Sequence, residues 1–195
     1  MAEDSELFSL VWPPGAERRS GEWRKEVGKA IRDACEKLNR LPGDFSNDDT
    51  FLDAVARATQ AALKDHRREK WELLRNGIVG SVSPPAPDGD LQQVFFQLLD
   101  ELTLSHIAIL RAVDGPYDPA LAAQSTVEAV KRRLGKTAAE EPMLRAFLDQ
   151  LQARGLLRST STRTPVAAGP LSQTSFTEVG TRFLRFISRP VEPAA

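Results

Sequence analysis

Apolar residues recur along most of this chain at separations of three and four, the repeat that gathers side chains on one face of an α-helix. Between Glu22 and Leu41 they stand at Trp23, Val27, Ala30, Ile31, Ala34, Leu38 and Leu41, while Arg24, Lys25, Lys29, Arg32, Asp33, Glu36 and Lys37 take the other side. This predicts an amphipathic helix stopped by Pro42-Gly43. Ahead of it, the strip Leu7–Trp12 runs into Pro13-Pro14-Gly15, which fixes φ twice and removes two amide donors, so the strip predicts an arm or an edge strand. Ser46-Asn-Asp-Asp49 offers capping oxygens and early negative charge, and no Gly or Pro follows until Gly77. One long helix of roughly seven turns is therefore expected, with a stripe of Leu52, Val55, Thr59, Ala62, His66, Leu73 and Leu74 and a solvated, charged middle from Lys64 to Lys70. Gly77, Gly80 and the stretch Ser83-Pro-Pro-Ala-Pro-Asp-Gly89 have linker composition. They divide the chain into a helical region 1–82, a proline-rich linker 83–89, a second region 90–188 and a tail 189–195.

Past the linker the helical segments shorten. Asp90 is placed to cap a helix carrying Leu91, Val94, Phe95, Leu98 and Leu102, with Phe96 off its stripe; Thr103 or Ser105 can cap another carrying Ile107, Leu110 and Val113. Ser125 with Glu128, and Thr137 with Glu140, stand at capping-box spacing ahead of a two-turn helix and a longer one beginning near Ala138. Gly155 then falls where a helix must accept positive φ, and Leu156-Leu157-Arg158 shifts to an extended pattern. After a Ser/Thr/Pro/Gly stretch, Ser175-Phe176 predicts a return strand, and Thr177 caps a last helix with Val179, Phe183, Phe186 and Ile187. Three helices, a two-stranded β-ribbon and a C-terminal helix, in that order, make a winged helix. The expected fold is thus mainly α: a helical N-terminal region followed by a winged-helix domain over 90–188.

Leu151-Gln-Ala-Arg-Gly-Leu-Leu157 and Phe176-Thr-Glu-Val-Gly-Thr-Arg-Phe-Leu184 are similar to paired segments of many bacterial winged-helix regulators, over residues about 104–187. A second resemblance spans about 67–187: Lys70-Trp-Glu-Leu-Leu-Arg75, Val94–Thr103, His106-Ile-Ala-Ile-Leu110 and the Gly155 and Thr177-x-x-Gly180 segments resemble in layout the abortive-infection alpha (Abi-alpha) type family. That resemblance implies a bacterial protein tied to phage defence. It implies no catalytic residue and no ligand.

Composition narrows the function. The 195 residues are 41% hydrophobic and 27% charged, as in ordinary folded domains. With 26 Lys and Arg against 27 Asp and Glu the net charge is −1, so no global field draws the molecule to nucleic acid or to anionic lipid. Cys35 is the only cysteine, the opening Met1–Glu6 is acidic where a secretory signal is basic, and no apolar run nears the roughly 18–20 residues that span a bilayer. The expectation is a cytoplasmic protein with no membrane contact.

Duplex DNA is the partner a winged helix suggests. The helix starting near Ala138 would enter the major groove by its N-terminus, yet Glu140 and Glu141 stand there and repel phosphate. The candidate phosphate contacts are Lys131, Arg132, Arg133, Lys136, Arg145, Arg158 and Arg163. From Leu91 to Ala195 there are 12 Lys and Arg against 10 Asp and Glu, a margin of +2 that is thin for several phosphate contacts.

Reactive chemistry is sparse. Two histidines and one cysteine leave almost no ligands for zinc, and neither C-x-x-C nor H-E-x-x-H occurs. Gly135-Lys136-Thr137 ends like a phosphate loop, but Val130 stands where its first glycine belongs. Cys35 has no histidine nearby to activate it and reads as core; His66 and His106 read as hydrogen-bonded structural residues. No catalytic residue, cofactor, metal or small-molecule substrate is expected. What remains is a non-enzymatic interaction protein that binds another protein or itself as a homodimer, with a DNA-binding regulator as the alternative.

Overall fold

The structure, a computed structural model, describes residues 16–116, 125–137, 139–158 and 176–188, and only the backbone of Ala16, Glu17 and Lys136. The chain forms two compact units that divide between Asp100 and Glu101. The proline-rich stretch over 83–89 does not coincide with that division: it joins two helices of the first unit.

In the first unit, α1 (Ala16–Leu38), α2 (Asp49–Lys64) and α3 (Arg68–Val82) pack on one another. Small side chains allow the close approach: Ala30 and Ala34 of α1 and Ala54, Ala58, Ala61 and Ala62 of α2 are buried. Trp23 fills the larger space, its indole donating to Thr59 Oγ1 at 2.8 Å and meeting Trp71 edge-on at 6.0 Å. Asp48 caps α2 by accepting from Phe51 N at 3.1 Å; the guanidinium of Arg40, which donates to the same carboxylate, helps hold its pKa below the usual value.

The expected single long helix is two. Asp65, in extended conformation, ends α2 and Arg67 caps α3. The Asp65 carboxylate accepts from the Arg67 backbone at 3.0 Å and from its guanidinium, and the buried indole of Trp71 donates to Asp65 O at 2.6 Å. The break folds α3 back on α2, so that Leu73, Leu74 and Ile78 reach the core while His66 is exposed in the bend. Helix α3 continues through Gly77 and Gly80, where a linker was expected. Asp88, not Asp90, accepts the amide at the start of α4 (Gly89–Glu101), at 2.9 Å from Leu91 N. The Gln92 side chain donates to Ser81 O and Pro87 O, pinning the proline loop, and Phe96 is buried beside Phe95 in the sequence although it lies off the expected stripe.

In the second unit, α5 (Leu104–Asp114), α6 (Thr126–Leu134) and α7 (Glu141–Ala153) pack around Ile107, Leu110, Val127, Val130, Leu144, Leu148 and Leu151, and α8 (Glu178–Ile187) follows. The Ser125–Glu128 box forms, with the carboxylate taking Ser125 N at 2.9 Å and its pKa lowered by that bond. The Thr137–Glu140 box does not: Thr137 Oγ1 donates to Leu134 O, and α7 starts at Glu141 with Pro142 in its first turn. Gly155 takes φ of 69° after α7, and Thr177 caps α8 through Gly180 N at 2.9 Å.

The winged-helix expectation is corrected here. Among the described residues there is no β-strand, only one antiparallel bridge, Leu157 with Phe176; residues 159–175, on which the rest of the expected ribbon falls, lie outside the described residues. Helix capping surrounds the bridge. Phe176 is followed at once by the cap of α8, and Thr177 Oγ1 donates to Gly155 O at 2.6 Å. Its amide donates to Leu156 O at 3.2 Å, while the Arg158 Nε donates to Phe176 O at 2.9 Å, filling an acceptor that a longer ladder would use. The unit is a helical cluster closed by a bridge.

Candidate functional site

Of the seven residues singled out for phosphate contact, five have described side chains, and three of those five are engaged within the second unit. Arg133 turns inward and donates to Ala112 O and Pro116 O, satisfying carbonyls at the end of α5. Arg145 pairs with Glu141 one turn away, at 2.6 Å, and Arg158 is held on Phe176 O. Lys131 and Arg132 are exposed on the last turn of α6 and make no ion pair among the described residues. Arg163 and the Lys136 side chain lie outside the described residues. Among the described candidates three side chains are thus exposed, Lys131, Arg132 and Arg158, the last with its Nε engaged, beside Glu140 and Glu141, which are also exposed.

A groove of about 460 Å³ lies between α1 and α3 in the first unit, with Glu22, Lys25, Glu26 and Lys29 facing Arg68, Glu72 and Arg75 over Trp71. Its lining carries four cations and three carboxylates, several of them paired with one another. Glu26 accepts from Lys29 at 2.5 Å and from Arg75 at 3.2 Å, and Arg75, with only 11% of its side chain exposed, also lies 3.7 Å from Asp33 and 3.9 Å from Glu72. An anion reaching Arg75 would have to displace carboxylates that already lie against its guanidinium, so this pairing fixes α1 on α3. Sequence reading did not find this cluster, because its members stand on two helices some 45 residues apart and each looks like an ordinary solvated charge.

Of the residues with intrinsic reactivity, His106 is held in a structural role. His106 Nδ1 accepts from Thr103 N at 3.2 Å, so Nε2 carries the proton and donates to Gln150 Oε1 at 2.7 Å, while the ring packs edge-on against Phe147. Cys35 is half-buried on α1 and His66 is exposed in the bend after α2. Lys70 is buried, a placement no spacing rule signalled, and burial pushes its pKa down. Among the described residues no group of three or more His, Cys, Asp or Glu is placed to hold a metal ion.

The surface that stands out is the outer face of α2. Leu52 was expected in the core stripe with Val55, Thr59 and Ala62; of these only Ala62 is buried, together with Phe51, Ala54, Ala58 and Ala61, and Leu52 and Leu63 remain 45% and 46% exposed. The two leucines are three turns apart and about 20° out of line, so they share one stripe with exposed Ala56 and half-buried Val55 and Thr59. Exposed Asp49, Asp53, Gln60 and Lys64 form its polar margin, with Arg57 3.8 Å from Asp53 at its centre and Asp53 still 74% exposed, so that carboxylates lead at the N-terminal end and an ammonium stands at the C-terminal end. Four buried alanines outweighed two leucines because only they allow α1 and α3 to approach closely, a choice that hydrophobicity alone does not register.

Fold and surface together define an all-helical protein of two compact units with no assembled reactive site among the described residues. No helix among them is long and apolar enough to cross a membrane. No family model, curated protein or solved structure matches the chain.

Proposed function

We propose that this chain is a non-enzymatic interaction protein whose working surface contacts another protein. One observation carries the reading: α2, a well-capped helix, keeps two leucines in water on a single stripe while its alanines make the core. The engagement of Arg133, Arg145 and Arg158 within the second unit supports it, since those guanidinium groups are not waiting for phosphate. The cellular setting we propose with it is bacterial phage defence in the cytoplasm, on the abortive-infection layout alone; plating efficiency of phage on cells with and without the gene tests that setting.

Exposed Lys131 and Arg132 favour the second reading, a DNA-binding regulator. A fluorescence-anisotropy titration with duplex DNA over a salt series separates the two. The protein-contact reading expects no saturable binding at physiological salt. A micromolar or tighter complex with a steep salt slope, weakened by Lys131→Glu or Arg163→Ala, would overturn it.

A further inference from the structure

We infer that the outer face of α2 is an isologous contact between two copies of this chain, with the two α2 helices antiparallel. The inference rests on the protein-contact reading and names the partner. A two-fold axis crossing the helix between Arg57 and Ala58 sets Leu52 of one copy level with Leu63 of the other, and Ala56 level with Thr59. Large side chains then meet at both ends of the contact, and small ones at its centre, where the helices cross most closely.

The charge margin selects this orientation. An axis in the plane of the contact and perpendicular to the helices keeps both polar margins on the same side. Lys64 of one copy then stands level with position 51 of the other, between exposed Asp49 and Asp53. The pairing is reciprocal, so each end of the contact joins two carboxylates to one ammonium. In a parallel pair the margins would lie on opposite sides of the contact, with Lys64 level with Lys64 and no carboxylate of the other copy beside it. The helix dipoles also favour antiparallel packing. Lys64 holds Asp100 at 2.5 Å within one chain, but with its side chain 65% exposed it has room to reach a second carboxylate. A contact of one helix face per copy belongs to the small, transient class of interfaces.

Sedimentation velocity of the full chain over a wide concentration series tests the inference. Reversible dimerisation is expected, weakened at least about tenfold by Leu63→Glu. Because Leu63 is exposed, circular dichroism of L63E should match wild type, so loss of dimer is not loss of fold. Asp53→Lys and Lys64→Asp should each weaken association, and an equimolar mixture of the two should restore it. Orientation is read by oxidising a mixture of L52C and L63C, both carrying Cys35→Ser: antiparallel pairing gives the 52–63 cross-link between copies. A monomer at every concentration, a dimer indifferent to L63E, or cross-links only between like positions would each overturn the pairing. None of these three results depends on the DNA titration, whose positive outcome would instead remove the reading beneath it.

Discussion

Gly180 shows how much one missing carbon can decide. It lies in the first turn of α8, and a Cβ built on it would sit 2.0 Å from Leu156 O and 2.9 Å from Leu156 C, with the Phe176 ring also at 2.9 Å. Those atoms belong to the bridge segments, and backbone cannot swing aside as a long side chain does. Gly180→Ala should therefore push α8 off the bridge, stretch the Thr177 N to Leu156 O bond, and destabilise the protein by about 2–4 kcal/mol in urea unfolding. Gly28 is the counter-example: it is in mid-helix on α1, and its nearest neighbour to an added Cβ is the flexible tip of Arg32 at 3.9 Å. Gly28→Ala should stabilise by roughly 0.5–1 kcal/mol, because only the helix-forming entropy changes. The same substitution with opposite signs, measured in one assay, separates close approach from propensity.

At the scale of elements, the bend between α2 and α3 hangs on Asp65. The bond from Arg67 is the main reason its carboxyl titrates at about 2 instead of 3.8. A carboxylate held below its unfolded value adds stability that is complete above the unfolded pKa and disappears as pH falls through the folded one. The contribution should therefore fade between about pH 4 and pH 2. Arg67 is 43% exposed, so water screens the pair and roughly 1 kcal/mol is the expected size at neutral pH. Asp65→Asn should lose that amount at pH 7 and converge with wild type near pH 2, as followed by urea midpoints across the range. The helix ends were legible where the signal is local: Ser125 with Glu128, Thr177, and Gly155 all act as their spacing implied. The bend was not, since no glycine or proline marks it and the Trp71 indole that seals it comes from the next helix. The ribbon was misread for a related reason. Leu156-Leu157 and Phe176 do meet, but in one bridge, and Thr177 and Arg158 bond the Leu156 and Phe176 carbonyls beside it. On α2 the expected stripe holds at Ala62 and fails at Leu52, because a leucine outranks an alanine in any hydrophobic pattern, whereas helix packing rewards the smaller residues here.

For the whole molecule, charge and apolar surface predict opposite responses to salt. The net charge of −1 puts almost no repulsion between two copies, so encounter is governed by the matching faces and not by the far field. Each Asp–Lys contact across the proposed α2 pair is exposed to solvent and worth about 0.2–1 kcal/mol, most of which screening removes once the Debye length falls to about 3 Å near 1 M salt. Burial of Leu52 and Leu63 from both copies is untouched by such screening and is strengthened by sulfate. Dimerisation should thus weaken by no more than about tenfold between low salt and ~0.5 M sodium chloride, and recover in sodium sulfate of equal ionic strength. A collapse of the dimer in sodium chloride would mean that charge holds the copies together and that the leucines do not. Binding governed by phosphate contacts, by comparison, falls by about 10³–10⁵ over a much narrower salt range when six or more cations take part. One salt series read by sedimentation therefore tests whether the exposed leucines of α2 carry the association, since their burial is not weakened by screening and is strengthened by sulfate, whereas the Asp–Lys contacts are weakened by both salts.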